Sequence, residues 1–313
     1  MKKYNVLITG GAGYIGSMLS TRLIELGHKV TVMDRLIFSK NSLAHLLYNK
    51  NFKFIFGDVR NKKLYKKIIS ANEFIIPLAA LVGAKLCEKN KKEANQVNLK
   101  SIEFLMKNLK RKHKILYPTT NSGYGIGQKN KYCDENSDLK PISLYGRTKV
   151  EAEKLVMKRK NSISFRLATV FGYSYRMRTD LLVNNFTFTA FKKKKLNIFE
   201  GHFRRNFIHI QDITKVFVFA INNFDKLKGE SYNAGLSSAN ISKTQLAKKI
   251  KKFIPDLKIN NIDNMKDPDQ RDYFVSNKKI EKKGFKAEIS LDTGISELIQ
   301  FYRHNDNLIK NNY

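Results

Sequence analysis

A tyrosine and a lysine four residues apart, in Tyr145-Gly146-Arg147-Thr148-Lys149, have types and a spacing that suit proton transfer. On a helix, side chains at that spacing leave the same face. A tyrosine has an ordinary pKa near ~10 and is a poor base at neutral pH, but an adjacent ammonium group favours its phenolate. Such a pair can take the proton of an alcohol. Because the same spacing on a solvated helix face has no function, this interpretation requires a reaction partner elsewhere in the chain.

A glycine-rich loop near the N-terminus supplies that partner. Gly10, Gly13 and Gly16 directly follow the first apolar run and open a helix-period segment. Glycines at this spacing permit a tight turn and let backbone N–H groups approach a pyrophosphate. Asp34 ends the second apolar run, where its carboxylate can accept hydrogen bonds from adenosine ribose hydroxyls. Its charge repels a 2′-phosphate, so the sequence predicts NAD rather than NADP, and the neighbouring Arg35 weakens that preference.

Two further segments are predicted to border the cofactor. Asp58-Val59 follows the third apolar run and is placed at the adenine, although an aspartate there is equally suited to cap a helix. The fourth run ends in Pro77-Leu78-Ala79-Ala80-Leu81. Its small residues suit a backbone that passes beside the nicotinamide ribose.

The elements that position these residues alternate between short β-branched runs and helix-period segments. Strands are predicted at 4–9, 29–33, 52–56, 73–77, 114–118 and 162–167, with helices between them that include about 92–111 and 144–160. The second of these helices carries the tyrosine and lysine. The alternation predicts an α/β fold with a doubly wound parallel sheet of the Rossmann type.

After Phe171 the pattern becomes less regular, which indicates a smaller C-terminal lobe that binds the substrate. Helices are predicted near 180–193, 211–222, 242–253 and 292–303, and short strands near 196–199 and 206–208. The predicted dinucleotide-binding domain is 1–170 together with about 208–235, where the chain returns to the sheet. The predicted substrate-binding lobe is 171–207 together with 236–313.

Charge is the compositional outlier in this chain of 313 residues. The net charge is +32, from 59 basic and 27 acidic residues, and 192–195 is a run of four lysines. Such a charge raises nucleic acid or an anionic membrane as partners. The lysines are scattered over the whole length and no aromatic stripe is interleaved with them, so solvated faces are favoured and neither partner is expected. A basic surface would still attract a phosphate-bearing substrate.

The two cysteines and the N-terminus indicate a cytoplasmic protein. Cys87 and Cys133 are far apart and belong to no Cys-x-x-Cys or His pair, so neither a metal site nor a disulfide framework is expected. The apolar run at the N-terminus is too short for the core of a signal peptide, and no stretch approaches a membrane span.

Three stretches together show a family resemblance. They are Thr9-Gly10-Gly11-Ala12-Gly13-Tyr14-Ile15-Gly16, the pair Tyr145 and Lys149, and Arg205-Asn206-Phe207-Ile208-His209-Ile210-Gln211-Asp212. With them the chain resembles the extended short-chain dehydrogenase/reductase family of NAD-dependent sugar-nucleotide epimerases and dehydratases, over nearly its whole length. In that family a Ser or Thr four residues before the tyrosine of a Tyr-Gly segment binds the reacting sugar oxygen. Here that residue is Thr120.

The resemblance implies a catalytic set of Thr120, Tyr145 and Lys149. Tyr145 would take the proton of the C4 hydroxyl, Thr120 would hold the oxygen, and Lys149 would lower the tyrosine pKa and bind the nicotinamide ribose. The implied cofactor contacts are Gly10, Gly13, Tyr14, Ile15, Gly16, Asp34, Arg35, Asp58, Val59, Leu78, Ala79, Ala80 and Asn98, with Tyr145 and Lys149. The implied substrate contacts are Val82, Thr120, Asn121, Ser122, Thr169, Arg176, Arg178, Asn184, Arg205 and Arg271.

The resemblance leaves several reactions open. A 4,6-dehydratase of this family carries Glu, often with Asp, just after the threonine, and a 3,5-epimerase carries a thiol there, whereas this chain has Asn121 and Ser122. A 4-dehydrogenase and a 4-epimerase of the UDP-glucose type share the same catalytic set. Stretches including 120–127, 165–172 and 235–240 resemble the 4-dehydrogenases that act on GDP-heptose in capsule biosynthesis, which favours oxidation. A non-catalytic scaffold that binds NAD or nucleic acid is the rival class.

The substrate and the oligomeric state are also expectations from the resemblance. Arg205 is expected to bind the pyrophosphate, with Arg271 near the nucleotide, since Arg suits bidentate phosphate contacts. Thr169 stands where relatives commonly have an Asn that contacts the substrate. Relatives form dimers through the helices predicted at 92–111 and 144–160, so a homodimer is expected, with a tetramer as the alternative.

Overall fold

Short runs of Val, Ile, Leu and Phe form most of the strands in the computed structural model, which describes residues 2–128, 131–262 and 271–305. The strands are β1 (Asn5–Thr9), β2 (Lys29–Asp34), β3 (Phe52–Phe56), β4 (Phe74–Pro77), β5 (Lys114–Thr120), β6 (Tyr132–Cys133), β7 (Ser162–Leu167), β8 (Thr169–Phe171), β9 (Lys195–Phe199), β10 (Arg204–His209), β11 (Ser231–Ala234), β12 (Asn240–Ser242), β13 (Lys258–Ile262) and β14 (Phe274–Val275). All six strands predicted for the sheet are present, and β5 runs on to include Thr120.

Helices connect these strands. They are α1 (Tyr14–Glu25), α2 (Lys62–Ser70), α3 (Ala84–Lys89), α4 (Lys91–Asn95), α5 (Ser101–Asn108), α6 (Leu144–Met157), α7 (Leu182–Lys193), α8 (Ile210–Asn222), α9 (Phe224–Leu227), α10 (Lys243–Phe253), α11 (Lys278–Lys282) and α12 (Leu291–His304). One predicted helix differs. The segment expected at 92–111 is α4, then a π-helical turn at Gln96–Lys100, then α5, which ends at Asn108.

The central sheet has seven strands in the order β3-β2-β1-β4-β5-β7-β11, and all its neighbours are parallel. The direction of strand addition reverses between β1 and β4. In such a sheet, ligands bind in the crevice beyond the carboxyl ends of the strands at this reversal. The prediction of a doubly wound parallel sheet is confirmed, and it places the glycine loop after β1 beside the segment after β4.

Alternation along β1 shows that both faces of the sheet are covered. Val6 and Ile8 pack into a core that includes residues of α1 and α8, whereas Leu7 packs into a second core with α2, α5 and α6. All three side chains are fully buried. A strand buried on both faces reads as a continuous apolar run, which is why β1 shows no polar alternation.

The C-terminal lobe is built from three small sheets and the helices around them. Strand β10 pairs with β8 in parallel and with β12 antiparallel, β13 pairs with β9, and β14 pairs with β6. The chain then returns to the main body, since α8 packs on α1 and β11 pairs with β7. The predicted domain limits stay a prediction, and residues 306–313 of the predicted lobe lie outside the described residues.

The lysine run lies on the surface of the fold, whereas the two cysteines lie inside it. The lysines at 192–195 are exposed at the end of α7 and the start of β9, while both cysteines are buried and unpaired with each other. None of the helices that the structure describes is long and apolar enough to cross a bilayer. The predicted homodimer, which would use α5 and α6, stays a prediction.

Candidate active site

A cavity of about 660 Å³ lies at the carboxyl ends of the central strands. Most of the predicted cofactor contacts line it, namely Gly10, Gly13, Tyr14, Ile15, Gly16, Asp34, Arg35, Asp58, Val59, Leu78, Ala79, Ala80, Tyr145 and Lys149. It is also lined by the predicted substrate contacts Val82, Thr120, Ser122, Thr169, Arg176, Arg178, Arg205 and Arg271. The structure therefore brings residues from both ends of the chain to one site.

The glycine loop is packed so closely that larger residues would not fit. Gly10 has a φ of +72°, and a Cβ there would lie 2.6 Å from the backbone nitrogen of Ala79. A Cβ on Gly16 would lie 2.5 Å from the Cα of Gly11. Helix α1 begins directly after the loop, with Gly13 as its N-cap. This arrangement of loop and helix N-terminus fits the pyrophosphate of a dinucleotide.

Asp34 lies at the end of β2, behind the glycine loop. Its carboxylate accepts hydrogen bonds from the backbone N–H groups of Ala12, at 3.0 Å, and Leu36, at 2.8 Å. Burial raises the pKa of this carboxyl, and the backbone hydrogen bonds oppose that rise. A carboxylate has about four acceptor positions, so Asp34 can also accept hydrogen bonds from ribose hydroxyls. The donors and acceptors of this end fit the adenosine of NAD.

The three predicted catalytic side chains line the same cavity from two elements. Thr120 is the last residue of β5, whereas Tyr145 and Lys149 lie one turn apart at the start of α6. The start of α6 is fixed by Ser143, whose hydroxyl accepts a hydrogen bond of 3.1 Å from the backbone of Gly146. The hydroxyl of Thr120 donates to that of Ser122 at 2.9 Å. Strand and capped helix thus bring the tyrosine and the threonine to one wall of the site.

The groups that lower the pKa of Tyr145 are not the ones expected from the sequence, which assigned this effect to Lys149. Burial raises the pKa of Tyr145 to about 12, the thiol of Cys87 adds to the rise, and the guanidinium groups of Arg178 and Arg271 act in the opposite direction. Burial also lowers the pKa of Lys149 to about 7. Its Nζ lies 4.2 Å from the ring centroid of Tyr117. Arg178 and Arg271 are therefore the cations whose charge opposes the rise in the pKa of the phenol.

Asn98, expected to contact the cofactor, is not among the residues that line the cavity. Its side chain accepts from the backbone N–H of Leu81 at 2.8 Å and donates to the carbonyl of the same residue at 3.0 Å. It also donates to the hydroxyl of Thr148 at 3.3 Å. Because it lies in the π-helical turn, the side chain points between the segment after β4 and α6. Asn98 therefore positions the walls of the site.

Asn121 and Asn184, expected to contact the substrate, also lie behind the cavity wall. The amide of Asn184 accepts from the backbone of Gly172 at 3.0 Å and donates to the carbonyl of Arg178 at 2.8 Å. Asn121 is 1% exposed, and neither polar atom of its side chain has a hydrogen-bond partner within the described parts of the chain. Each side chain points into the protein because its own element, α7 or the turn after β5, is packed on that side.

A group of cations lines the cavity at the predicted substrate end. Arg205 is 3% exposed, and its guanidinium lies 5.6 Å from the ring centroid of Tyr273. Arg271 donates a hydrogen bond to the hydroxyl of Ser122. Lys243, at the start of α10, lines the same cavity and donates to the carbonyl of Phe199. Several cations in one partly closed cavity suit a diphosphate.

Sequence reasoning missed several lining residues, among them Lys243 and Glu93. Lys243 is one of many lysines, and only the fold shows that the N-terminus of α10 faces the cavity. Glu93, on α4, also lines the cavity, which its position in the helix predicted at 92–111 did not suggest. No local pattern in the sequence marks either residue.

Curated proteins are similar to this chain in sequence over almost its whole length. A putative UDP-glucose 4-epimerase from Methanocaldococcus jannaschii is 28% identical over 315 residues, which are 96% of this chain and 99% of the relative. A trifunctional UDP-glucose 4,6-dehydratase/UDP-4-keto-6-deoxy-D-glucose 3,5-epimerase/UDP-4-keto-L-rhamnose-reductase from Arabidopsis thaliana is 26% identical over 319 residues, 96% of this chain. The chain spans about half of that plant relative, 47% of its length.

A solved structure is similar over almost the same extent. The UDP-glucuronic acid 4-epimerase from Bacillus cereus, in complex with UDP-glucuronic acid and NAD, superposes with a TM-score of 0.85 at 24% identity, covering 96% of this chain and 99% of that one. At this identity the likeness supports the fold. The family model for the NAD dependent epimerase/dehydratase family matches residues 6–235, from the first strand to the last strand of the central sheet. The chain belongs to the NAD-dependent epimerase/dehydratase family, and its cofactor is NAD.

Proposed function

We propose that this protein oxidises the C4 hydroxyl of a nucleotide-diphosphate sugar, GDP-heptose, to a 4-keto sugar nucleotide for capsule or surface polysaccharide synthesis. The observation that carries the proposal is that Thr120, Tyr145 and Lys149 line one cavity together with the glycine loop and the cations. The resemblance of residues 120–127 and 165–172 to GDP-heptose 4-dehydrogenases supports the choice of sugar.

Each of the three catalytic residues has a separate role in this oxidation. The phenolate oxygen of Tyr145 accepts the proton of the C4 hydroxyl, and Thr120 donates a hydrogen bond to the same oxygen. Lys149, when charged, raises the population of the phenolate. Bound NAD supplies the hydride acceptor. Tyr145 is partly exposed to the cavity, and Arg178 and Arg271 partly offset the cost of placing a negative charge on its oxygen.

The positions of the carboxyl groups that line the cavity do not favour dehydration as the main reaction. The carboxyl groups among the described residues that line the cavity are those of Asp34, Asp58, Glu93 and Asp180. The first three belong to the adenosine end, and Asp180 is ion-paired with Arg178. Loss of water across C5 and C6 requires an acid beside the reacting hydroxyl. The neighbours of Thr120 are an amide and a hydroxyl, which do not supply that acid.

A 4-epimerase is the second candidate function, because two of the similar proteins are named as 4-epimerases. It would use the same catalytic residues, but the keto sugar would turn over and be reduced on its other face. The two candidates predict different products. A dehydrogenase accumulates a 4-keto sugar and reduced cofactor in equal amounts, whereas an epimerase converts one sugar nucleotide to another with no net change in the cofactor.

One experiment tests both candidates. Purified protein with NAD is incubated with GDP-D-glycero-α-D-manno-heptose or with UDP-glucose, and the absorbance of reduced nicotinamide and the NMR spectra of the sugars are followed. We expect GDP-heptose to give a 4-keto product with reduced cofactor. Conversion of UDP-glucose to UDP-galactose, with GDP-heptose unchanged, would show an epimerase and refute the proposal. If neither sugar reacts, the assignment of GDP-heptose is wrong.

Replacement of Arg205 with Gln is expected to weaken substrate binding more than turnover. The guanidinium is buried at the substrate end, where it can bind a diphosphate in the ground state and the transition state alike. We expect the KM for the sugar nucleotide to rise about ten- to a hundredfold while kcat changes less than about threefold. Steady-state kinetics measure both constants. The matched control is Arg303→Gln at an exposed position of α12, and equal effects of the two changes would contradict the role of Arg205.

A further inference from the structure

Four charged side chains form a compact cluster at the adenosine end of the cavity. Arg35 contacts Asp58 through Nε, at 3.1 Å, and Glu93 through Nη1, at 2.7 Å. Arg60 contacts the same two carboxylates through Nη2, at 2.7 Å and 3.2 Å. The cluster joins the end of β2, the end of β3 and α4. Each carboxylate is therefore shared by two guanidinium groups.

The position of Arg35 makes this cluster relevant to the cofactor. It follows Asp34 directly, at the place in a dinucleotide-binding sheet from which a cation reaches a ribose 2′-phosphate. The next residue, Leu36, has a φ of +54°, and its N–H is held by the carboxylate of Asp34. The guanidinium of Arg35 points to Asp58 and Glu93, so two of its N–H groups already have carboxylate partners.

We propose that Glu93 is a positioning residue for cofactor choice, because it holds Arg35 away from the ribose and thereby keeps the enzyme selective for NAD. Without this contact, an Arg beside the ribose would offer a 2′-phosphate the bidentate partner that Arg suits best. Asp34 repels a 2′-phosphate directly, and Glu93 removes the cation that would offset this repulsion. Selectivity thus rests on two carboxylates from different elements.

Glu93 is the member of the cluster whose removal releases Arg35. The carboxylate of Asp58 accepts hydrogen bonds from both the backbone and the side chain of Arg60. Burial acts to raise the pKa of this carboxyl, but the hydrogen bonds from Arg60 and the charge of Arg35 lower it overall. Loss of Glu93 leaves Asp58 with Arg60 as its close partner. Arg35 then keeps one shared contact in place of two and can turn toward the ribose.

The test is a comparison of NADH and NADPH binding to the protein after bound nucleotide has been removed, with binding followed by the fluorescence of the reduced cofactor. We expect Glu93→Ala to raise the affinity for NADPH about tenfold and to change that for NADH less than about threefold. The matched control is Glu25→Gln, which breaks an Arg–Glu pair on the surface of α1. It should change neither affinity.

A double-mutant cycle separates the release of Arg35 from the loss of one negative charge. In the wild-type protein Arg35→Ala should change the affinity for NADPH less than about twofold, because Arg35 is held elsewhere. In the Glu93→Ala background the same change should abolish the tenfold gain. A gain that survives the loss of Arg35, or no gain at all, overturns the proposal. If Glu93→Ala lowers the melting temperature strongly, Glu93→Gln replaces it in the cycle with the same expected pattern.

The outcome is distinguishable from a failure of the proposed function. Dinucleotide binding needs no sugar, so the cycle gives its answer whichever sugar nucleotide the enzyme oxidises. Conversely, a protein that bound neither NADH nor NADPH would contradict the assignment of the cofactor site, and with it the proposed role of Glu93.

Discussion

Replacement of Tyr145 with Phe is expected to lower the rate of sugar oxidation about 10²- to 10⁴-fold, the range typical for loss of a general base. The ring stays, so the packing of α6 against the cavity is kept, but the only atom that could accept the C4 proton at this position is lost. A single-turnover experiment measures the effect, with protein and NAD in excess over GDP-heptose and reduced nicotinamide as the readout.

Two controls test whether the effect of Tyr145→Phe is specific to proton transfer. Binding of NADH should change less than about threefold, since the phenol contributes little to dinucleotide affinity compared with the glycine loop and Asp34. Tyr65→Phe removes another phenol, buried in the second core, and should leave the rate unchanged. If Tyr145→Phe retained full turnover, the proton would have to leave by another route, and the catalytic assignment would be wrong.

Replacement of Lys149 with Met is expected to slow the reaction and, at the same time, to stabilise the fold. Lys149 is 4% exposed, and burial lowers the pKa of its ammonium group from 10.5 to about 7. At or below neutral pH the folded protein therefore carries the cost of a buried charge that Met does not have. The carboxylate of Glu153 opposes this fall in the pKa of Lys149, and it is also ion-paired with Arg166 at 3.0 Å. Removal of the lysine therefore leaves Glu153 with a positively charged partner.

The pH dependence of this stabilisation follows from proton binding. Between about pH 7 and 10.5 the unfolded chain binds the proton of Lys149 and the folded protein does not, so the wild-type stability rises with pH through that window. The gain from Lys149→Met should therefore be largest below pH 7, on the order of 5 kcal/mol for a shift of this size, and the pH-dependent part should vanish above pH 10.5.

Urea unfolding of nucleotide-free protein at several pH values measures the stability gain. Lys154→Met on the exposed side of the same helix is the matched control and should give no pH-dependent gain. A Lys149→Met protein that is less stable than wild type at neutral pH would contradict the buried charge. The activity loss is measured separately, in the single-turnover experiment used for Tyr145.

The sequence was sufficient to predict the sheet and the local motifs. The strands of the sheet are buried on both faces, so they read as continuous apolar runs, and Gly10, Gly13 and Gly16 mark the turn after the first of them. The spacing of Tyr145 and Lys149 placed both on one helix face, which the structure bears out. These features depend on residues close together in the chain.

Features that depend on packing between distant segments were not predictable in this way. Asn98, Asn121 and Asn184 point behind the cavity wall because of the elements against which each is packed, and a one-dimensional motif does not encode that direction. Lys243 reaches the cavity only because α10 begins beside β9. The positive charges near Tyr145 come from Arg178 and Arg271, which are distant in sequence, whereas burial lowers the pKa of its neighbour in the motif, Lys149.

The hydroxyl of Ser122 connects Thr120 with Arg271 through hydrogen bonds. It accepts hydrogen bonds from Thr120, which is to hold the reacting oxygen, and from Arg271, which is to bind the nucleotide. A diphosphate that draws Arg271 away would remove one of the two donors to this hydroxyl and leave Thr120 as the other, so we expect binding at Arg271 to affect the contact of Thr120. If so, we expect a sugar without its nucleotide to be a slow substrate even at saturation.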